Sequence, residues 1–223
     1  MIGTHNSCSY VELLYKILWP FNFMAKCQTK NLAEQFSEGA RSFDLRFAWH
    51  RGKWYAAHGA MLYKITLEQA LNELIGLSLQ ETLYFRVLCE DTFYLKSDYK
   101  KLYDAVTKYL QGRDHDLNLL YVVSKKNWNN IINMPIVEET MSYDSYWNLG
   151  NDRVALCEKV YQMCTIKTSD KKINFICGYD SPHFGLWPLQ IIRPKTAAKA
   201  LTPIAKKVES IMKKNNCIVV DFI

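Results

Sequence analysis

The N-terminal part of the sequence holds four side chains that together could perform acid–base chemistry on a phosphate ester. His5 lies in the polar stretch Gly-Thr-His-Asn-Ser, and His58 precedes a glycine. Two imidazoles can divide general-base and general-acid work near neutral pH. Asp44 and Arg46 alternate in a strand-like run, which places both side chains on one face. The fork of the Arg46 guanidinium suits phosphate oxygens, and Asp44 can orient it.

These residues, together with Glu90 and Asp221, fall where predicted strands end. Apolar periodicity separates strands from helices along the chain. We expect Thr66 and Gln69 to form a capping box and Ser97 to cap the following helix. Strands are predicted over residues 41–47, 53–59, 81–90, 117–124, 172–179 and 217–223, and helices over residues 66–79, 97–110, 151–164 and 194–214.

The repeated order of strand and helix predicts an α/β fold with a mainly parallel sheet. Active sites of α/β barrels form at the carboxyl ends of the strands, where the polar residues fall. A Rossmann sheet is the competing architecture, but no Gly-x-Gly-x-x-Gly motif follows the first strand. We therefore predict a TIM-type (β/α) barrel, incomplete or distorted. Its first strand is nearly absent, because only Met1 and Ile2 precede the turn at residues 3–7.

Composition limits the class of protein and its partners. The 223 residues are 49% hydrophobic and contain no linker or repeat, which predicts a single domain over residues 1–223, and we expect a monomer. A net charge of +6 suits phosphate-bearing partners or an anionic membrane surface, whereas no nucleic-acid-binding motif is present. Seven cysteines at scattered spacings indicate reduced thiols in a cytoplasmic setting, and no signal peptide is visible.

Three motifs in combination resemble the catalytic X domain of the phosphatidylinositol-specific phospholipases C, and in particular its bacterial, metal-independent type. The motifs are "GTHNS" at residues 3–7, "GARSFDLR" at residues 39–46 and "HGAMLYKITL" at residues 58–67. The closing run "IVVDFI" at residues 218–223 resembles the last strand of the family. Asn6 departs from the pattern, because many bacterial members carry aspartate at this position.

The resemblance implies cleavage of the glycerol–phosphate bond of phosphatidylinositol or a related phospholipid through an inositol cyclic phosphate. His5 would be the general base that takes the proton of the inositol 2-hydroxyl, and His58 the general acid that protonates the leaving oxygen. Arg46, oriented by Asp44, would bind the phosphate and neutralise charge in the transition state. Asp221 would orient His5, as the aspartate of a catalytic triad does.

We expect neither a metal nor another cofactor. Ca²⁺ takes six to eight oxygen ligands, and calcium-dependent relatives supply them around the phosphate. In this sequence Arg46 stands at the second acidic ligand position of the "SFDLR" strand. Its guanidinium would repel a dication and would act in place of calcium. Asn6, Asp44 and Glu90 could alternatively form a poor oxygen cluster.

Contacts to the inositol ring are also implied by the resemblance. Asp144-x-Tyr146 resembles the Asp-x-Tyr pair that holds the ring in bacterial enzymes. We further expect Asn6, Arg86 and Glu90 to contribute to substrate binding.

Two apolar stretches predict a membrane-facing rim beside the site. They are "KILWPFNF" at residues 16–23 and "SPHFGLWPLQ" at residues 181–190. Trp19 and Trp187 would insert into a peripheral membrane surface, since amphipathic aromatic side chains favour such an interface. Packing of both tryptophans in the core is the alternative.

Two further functions stay open. A glycerophosphodiester phosphodiesterase-like enzyme would share the barrel and the histidine pair, and an "HRG" typical of that family occurs at residues 50–52. A non-catalytic module could keep the fold and bind phospholipid headgroups. Turnover of phosphatidylinositol would distinguish the enzyme from the module.

Overall fold

The computed structural model describes two long segments, residues 1–90 and 98–111, and several shorter ones. Side chains are described in the two long segments and at a few C-terminal positions. The shorter segments are residues 119–125, 133–135, 141–144, 173–177, 183–184, 191–192, 203, 206, 209–210, 216–220 and 223.

Strands dominate the described residues. The strands are β1 (Ile2–Thr4), β2 (Ala40–His50), β3 (Lys53–His58), β4 (Met61–Thr66), β5 (Leu83–Cys89), β6 (Leu119–Lys125), β7 (Asn133–Pro135), β8 (Met141–Asp144), β9 (Ile173–Cys177), β10 (His183–Phe184), β11 (Ile191–Ile192) and β12 (Asn216–Val220). The helices are the 3₁₀-helix η1 (Lys16–Met24) and the α-helices α1 (Leu32–Ser37), α2 (Leu67–Ser78) and α3 (Tyr99–Leu110).

The main sheet has the strand order β7-β6-β5-β2-β1-β12-β9-β8. From β6 to β8 every neighbouring pair is parallel, whereas β7 is antiparallel to β6. The hairpin strands β3 and β4 extend from β2 in antiparallel order. The predicted α/β class and mainly parallel sheet are confirmed. Within the described residues the sheet does not close, so the predicted barrel is not shown.

Strand β1 lies at the centre of the sheet, although it has only three residues, as the sequence predicts. It pairs with β2 on one side and β12 on the other. Gly3 permits this close packing, because a Cβ atom at this position would lie 2.9 Å from the Cβ atom of Ser42. The short strand therefore holds the following residue, His5, against the middle of the sheet.

Local sequence signals account for several of the elements, although not for all of them. The capping box of Thr66 and Gln69 starts α2 as predicted. Helix α3 is capped by Asp98 and not by Ser97, because the Asp98 carboxylate accepts hydrogen bonds from the amides of Lys100 and Lys101. The elements that were not predicted from the sequence are the helices η1 and α1 and the strands β4, β7, β8, β10 and β11.

The core is formed by apolar side chains between the sheet and the helices. Phe43, Leu45 and Phe47 of β2 are fully buried and belong to the same cluster as Leu71 and Leu74 of α2. The predicted helices over residues 151–164 and 194–214 lie almost wholly outside the described residues. In the described part of the chain, no helix is long and apolar enough to span a membrane.

Candidate active site

His5 follows directly after β1 and is almost fully buried, with 2% of its surface exposed. The turn that carries it is fixed by hydrogen bonds: the Ser7 amide donates to the Asp44 carbonyl oxygen at 2.8 Å, and the Ser7 hydroxyl donates to the Thr4 carbonyl oxygen at 2.9 Å. Asn6 adopts a positive φ of 43°, which lets the chain reverse sharply at this point. The imidazole is thus held by a rigid turn at the carboxyl end of a central strand.

His58 lies next to His5. It ends β3, and its ring lies 5.4 Å from the His5 ring, centroid to centroid, with the two planes nearly perpendicular. The Nδ1 atom of His58 lies 2.7 Å from the carbonyl oxygen of Ala25. Because a carbonyl oxygen only accepts hydrogen bonds, Nδ1 carries a proton and donates it. The predicted pairing of the two histidines is present in the structure.

Asp44 and Arg46 form a buried ion pair beside His5. The Arg46 Nε atom donates to Asp44 Oδ2 at 2.8 Å, and both side chains are less than 5% exposed. The same carboxylate oxygen lies 3.9 Å from His5 Nε2 and accepts a hydrogen bond from the Asn6 amide at 3.3 Å. The structure thus brings Asp44 and Arg46 into the contact that the sequence predicts.

A second guanidinium stands across from the ion pair. Arg86 of β5 is paired in register with Asp44 of β2, and it is 8% exposed. Burial disfavours the charged form of Asp44, but the positive charges of Arg46 and Arg86 outweigh burial and hold its pKa below the ordinary value. The carboxylate is therefore ionised at neutral pH and sits between two cations.

Glu90 has a positioning contact near His58. It is fully buried directly after β5, and its Oε1 atom accepts a hydrogen bond from the Gly59 amide at 3.0 Å. Gly59 has a positive φ of 57°, so the carboxylate anchors the turn that follows the histidine. Glu90 was predicted as a substrate contact, and its described contact is with this turn.

Asn6 offers polar side-chain atoms without a hydrogen-bond partner in the described part of the chain. The residue is fully buried, and its side-chain oxygen and nitrogen have no hydrogen-bond partner within the described residues. Buried polar atoms of this kind are rare in folded proteins, because leaving them unpaired is costly. The amide is suited to bind a polar ligand beside the histidines.

The segment over residues 25–28 was missed by the sequence interpretation. It connects η1 to α1, and besides the Ala25 carbonyl it brings the Cys27 Sγ atom to 3.7 Å from His58 Nδ1. The Ser9 hydroxyl accepts hydrogen bonds from the amides of Cys27 and Gln28, at 3.0 and 2.9 Å. The backbone carbonyl of Ala25 has no sequence signature, and Cys27 reads as an ordinary small apolar residue.

Four of the predicted site residues have no described side chain. Asp144 ends β8, but only its backbone is described. Tyr146, Trp187 and Asp221 lie outside the described residues. Their predicted roles remain predictions.

The 3₁₀-helix η1 presents its apolar side chains to the surroundings. Trp19 is 73% exposed, and Ile17, Phe21 and Phe23 are also exposed, so core packing of Trp19 is wrong. A cavity of about 380 Å³ lies beside this segment. Lys16, Trp19 and Lys26 are among its lining residues, which do not include the two catalytic candidates His5 and His58.

His50 belongs to a different region of the molecule. Its Nε2 atom lies 2.5 Å from the Tyr15 hydroxyl, and its ring contacts Tyr55. Arg51 and Gly52, with positive φ values of 47° and 82°, form the turn between β2 and β3. The "HRG" stretch is thus a hairpin turn.

The chain matches no protein-family model, and no curated protein sequence matches it. Its fold is similar to solved structures of phosphatidylinositol-specific phospholipase C. The enzyme from Staphylococcus aureus superposes with a TM-score of 0.69 at 13% identity over all of this chain and 85% of the other. The Listeria monocytogenes enzyme gives a TM-score of 0.68 at 15% identity over all of this chain and 87% of the other. A further Staphylococcus aureus structure, from work on modulating the membrane binding of that enzyme, gives a TM-score of 0.65 at 14% identity. At this identity the similarity shows a shared fold.

Proposed function

We propose that this protein is a phosphoric diester hydrolase of the phosphatidylinositol phospholipase C kind, which cleaves the glycerol–phosphate bond of inositol phospholipids. The observation that carries the proposal is the buried pair of His5 and His58, 5.4 Å apart, next to the Asp44–Arg46 ion pair. Two imidazoles and a guanidinium around one small space are the groups that an internal transfer at phosphorus requires.

His5 acts as the general base. It takes the proton of the inositol 2-hydroxyl, whose oxygen then attacks the phosphorus. Asp44, 3.9 Å from His5 Nε2, stabilises the imidazolium that forms. Asp221 orients His5 from the other side. Thr4 of β1 pairs with Val220 of β12, and His5 and Asp221 are the residues that come next in the sequence. This register supports the role.

His58 acts as the general acid. In its imidazolium form it donates one proton from Nδ1 to the Ala25 carbonyl oxygen as a hydrogen bond, and Nε2 transfers the other to the diacylglycerol oxygen as it departs. The products are diacylglycerol and an inositol cyclic phosphate, which makes the first step a lyase reaction. Slow hydrolysis of the cyclic phosphate by water follows, and in this step the two histidines exchange the roles of acid and base.

Arg46 stabilises the charge that develops on the phosphate oxygens. It is already held by Asp44, so little reorganisation is needed when the reaction occurs. Arg86 and the Asn6 amide bind phosphate or ring oxygens. This assignment is supported by the Asn6 side-chain atoms, which have no hydrogen-bond partner among the residues that the structure describes. Asp144 and Tyr146 hold the inositol ring.

The proposed reaction needs no metal, since Arg46 supplies the positive charge that calcium supplies elsewhere. The protein acts as a monomer with a single domain over residues 1–223, folded as a TIM-type barrel. The parallel strands from β6 through β1 and β12 to β8 support the barrel. Across the sheet they follow the order of the chain, as the strands of a TIM barrel do.

Membrane contact is made by η1, together with Trp187. Exposed apolar side chains of η1 and the nearby Lys16 and Lys26 suit an anionic lipid surface. The segment that follows η1 contacts His58, so the site faces the same end of the molecule.

Product analysis tests the proposal. The protein is incubated with phosphatidylinositol vesicles in the presence of a chelator, and the water-soluble phosphates are resolved by ³¹P NMR. We expect an inositol cyclic phosphate as the first product. Activity that appears only on addition of calcium would contradict the metal-free mechanism. Hydrolysis of glycerophosphoinositol to glycerol phosphate, with no cleavage of phosphatidylinositol, would favour a glycerophosphodiesterase, and vesicle binding without turnover a headgroup-binding module.

A further inference from the structure

We propose that His5, Cys27 and His58 form a binding site for a thiophilic divalent cation such as Zn²⁺, and that the bound cation inhibits the enzyme. Each residue offers one ligand atom, and these atoms all lie within 4.8 Å of one another. The inhibitory part rests on the proposed function, whereas the binding part stands on geometry alone.

The donor set suits zinc. Imidazole nitrogen and thiolate sulfur are its preferred ligands, and three protein ligands leave a fourth tetrahedral position for water. Tetrahedral Zn–S and Zn–N bonds place sulfur and nitrogen about 3.6 Å apart. The observed separation of Cys27 Sγ from His58 Nδ1 is 3.7 Å. The three ligand atoms lie no more than 4.8 Å from one another, so closing the site to tetrahedral separations of about 3.3–3.6 Å takes an approach of at most about 1.5 Å.

The backbone around the three ligands is already fixed. Gln28 donates from Nε2 to the His5 carbonyl oxygen at 3.2 Å, which ties the Cys27 segment to the His5 turn. The Ser9 hydroxyl holds the amides of Cys27 and Gln28. Cys27 is fully buried and His5 is 2% exposed, whereas His58 is half-buried. A preformed set of ligands lowers the cost of ordering them on binding.

Charge balance permits a dication in spite of the nearby guanidinium. Binding releases the thiol proton of Cys27 to solvent, so the ligand set contributes one negative charge. The Asp44 carboxylate lies 3.9 Å from His5 Nε2, and its charge offsets that of the paired Arg46 guanidinium. At His58, metal binding at Nδ1 requires the ring to turn away from the Ala25 carbonyl oxygen so that this hydrogen bond breaks, and the remaining ring proton then resides on Nε2.

Inhibition follows from the use of the same lone pairs. A His5 nitrogen that coordinates the metal cannot accept the proton of the attacking hydroxyl. The bound cation therefore competes with general-base catalysis, although the reaction itself requires no metal.

Cobalt and zinc titrations of the purified protein test the site. Co²⁺ reports a thiolate ligand through a charge-transfer band in the near ultraviolet, and calorimetry measures the affinity for Zn²⁺. The variant Cys27→Ser removes the sulfur ligand. Cys217→Ser is the matched control, because Cys217 is equally buried but lies on β12. Circular dichroism checks the fold of both variants.

We expect the band in the wild type and in Cys217→Ser, and its loss in Cys27→Ser. The Zn²⁺ affinity of Cys27→Ser should fall by at least about 10-fold, the loss that even an outer-shell change causes. The ratio of turnover without and with Zn²⁺ should exceed one in the wild type and fall towards one in Cys27→Ser.

Equal Zn²⁺ affinity in the wild type and Cys27→Ser would overturn the site. Binding at Cys27 that leaves turnover unchanged or raises it would overturn the inhibitory role. A protein that binds Co²⁺ through Cys27 but never cleaves phosphatidylinositol would keep the site and refute the proposed function, so the two failures are distinguishable.

Discussion

Asp44 links the groups of the candidate site at the scale of single residues. Its Oδ2 atom accepts hydrogen bonds from Arg46 and from the Asn6 amide and lies 3.9 Å from His5 Nε2. One oxygen therefore sets the position of the proposed phosphate-binding cation, of the turn and of the general base. Asp44 is a positioning residue in this arrangement.

The variant Asp44→Asn should lower kcat by about 100-fold, because a displacement near 1 Å at a catalytic group has this effect. A change in kcat with a smaller change in KM distinguishes positioning from simple substrate binding. Asp98→Asn is the control, since Asp98 caps α3 at the surface and asparagine also caps helices. Unaltered kcat in a correctly folded Asp44→Asn protein would contradict the role.

The residue scale is also where the sequence was most informative. His5, Asp44, Arg46 and His58 could be assigned because each is a titratable or charged side chain in a recognisable motif, and the structure brings all four together. The carbonyl of Ala25 could not be predicted. Backbone groups carry no sequence signal, and its position depends on how η1 and the next segment pack.

At the scale of elements, η1 is the least buried part of the N-terminal region. None of its residues is buried, and four of its six large apolar side chains are exposed. An exposed apolar patch on a folded protein marks an interaction surface. Membrane contact is the role that we propose for it.

Replacement of Trp19 by alanine should weaken binding to anionic vesicles by about 10-fold, since burying a large aromatic side chain contributes more than 1.4 kcal/mol. Vesicle sedimentation measures the change. Trp49→Ala serves as the control, because Trp49 is partly exposed on the β2–β3 hairpin and packs on Trp54. An equal loss in both variants would argue against η1 as the membrane contact.

Strand β1 makes a separate prediction, which concerns packing. Gly3→Ala should lower the free energy of unfolding by about 1–3 kcal/mol, because the new methyl group overlaps Ser42. Gly76→Ala on α2 meets no atom within 4 Å and should raise it by up to about 1 kcal/mol. Urea unfolding measures both. A Gly3→Ala protein as stable as the wild type would show that β1 and β2 do not approach this closely.

The elements show why sequence prediction succeeds and fails. Helix α2 and strand β5 were predicted because capping residues and a continuous apolar run specify them locally. Strand β4 was missed because Met61–Thr66 lacks clear alternation and is stabilised by pairing with β3. Its existence depends on a partner strand, which local sequence does not reveal.

At the scale of the whole molecule, the parallel sheet gathers residues that are distant in sequence. β1, β2 and β5 are neighbours in the sheet, so His5, Asp44 and Arg86 meet although they are up to 81 positions apart (86 − 5). The sequence predicts a mainly parallel sheet but not the order of its strands, because pairs such as β1 with β12 join segments that are far apart in the sequence. Burying charged groups in this arrangement makes stability depend on pH.

Stability should fall in acid partly through Asp44. Its pKa is lower in the folded protein than in the unfolded chain, so its contribution is present above the unfolded pKa of about 3.9 and is lost as the pH falls through the folded value. The free-energy difference between wild type and Asp44→Asn should therefore narrow between ~pH 5 and ~pH 2. Urea unfolding at each pH measures the difference. A free-energy difference that stays constant or widens as the pH falls would refute the lowered pKa of Asp44.

The division of labour between His5 and His58 is tested most directly with two leaving groups. Turnover of phosphatidylinositol, whose leaving alkoxide needs a proton, is compared with that of an inositol p-nitrophenyl phosphate, whose leaving group needs none. His58→Ala should lose about 10²–10⁴-fold on the lipid but much less on the nitrophenyl ester, whereas His5→Ala should lose activity on both. His50→Ala, which alters a histidine bonded to Tyr15, should lose activity on neither. Equal losses for His58→Ala on the two substrates, or full activity of His5→Ala, would contradict the mechanism.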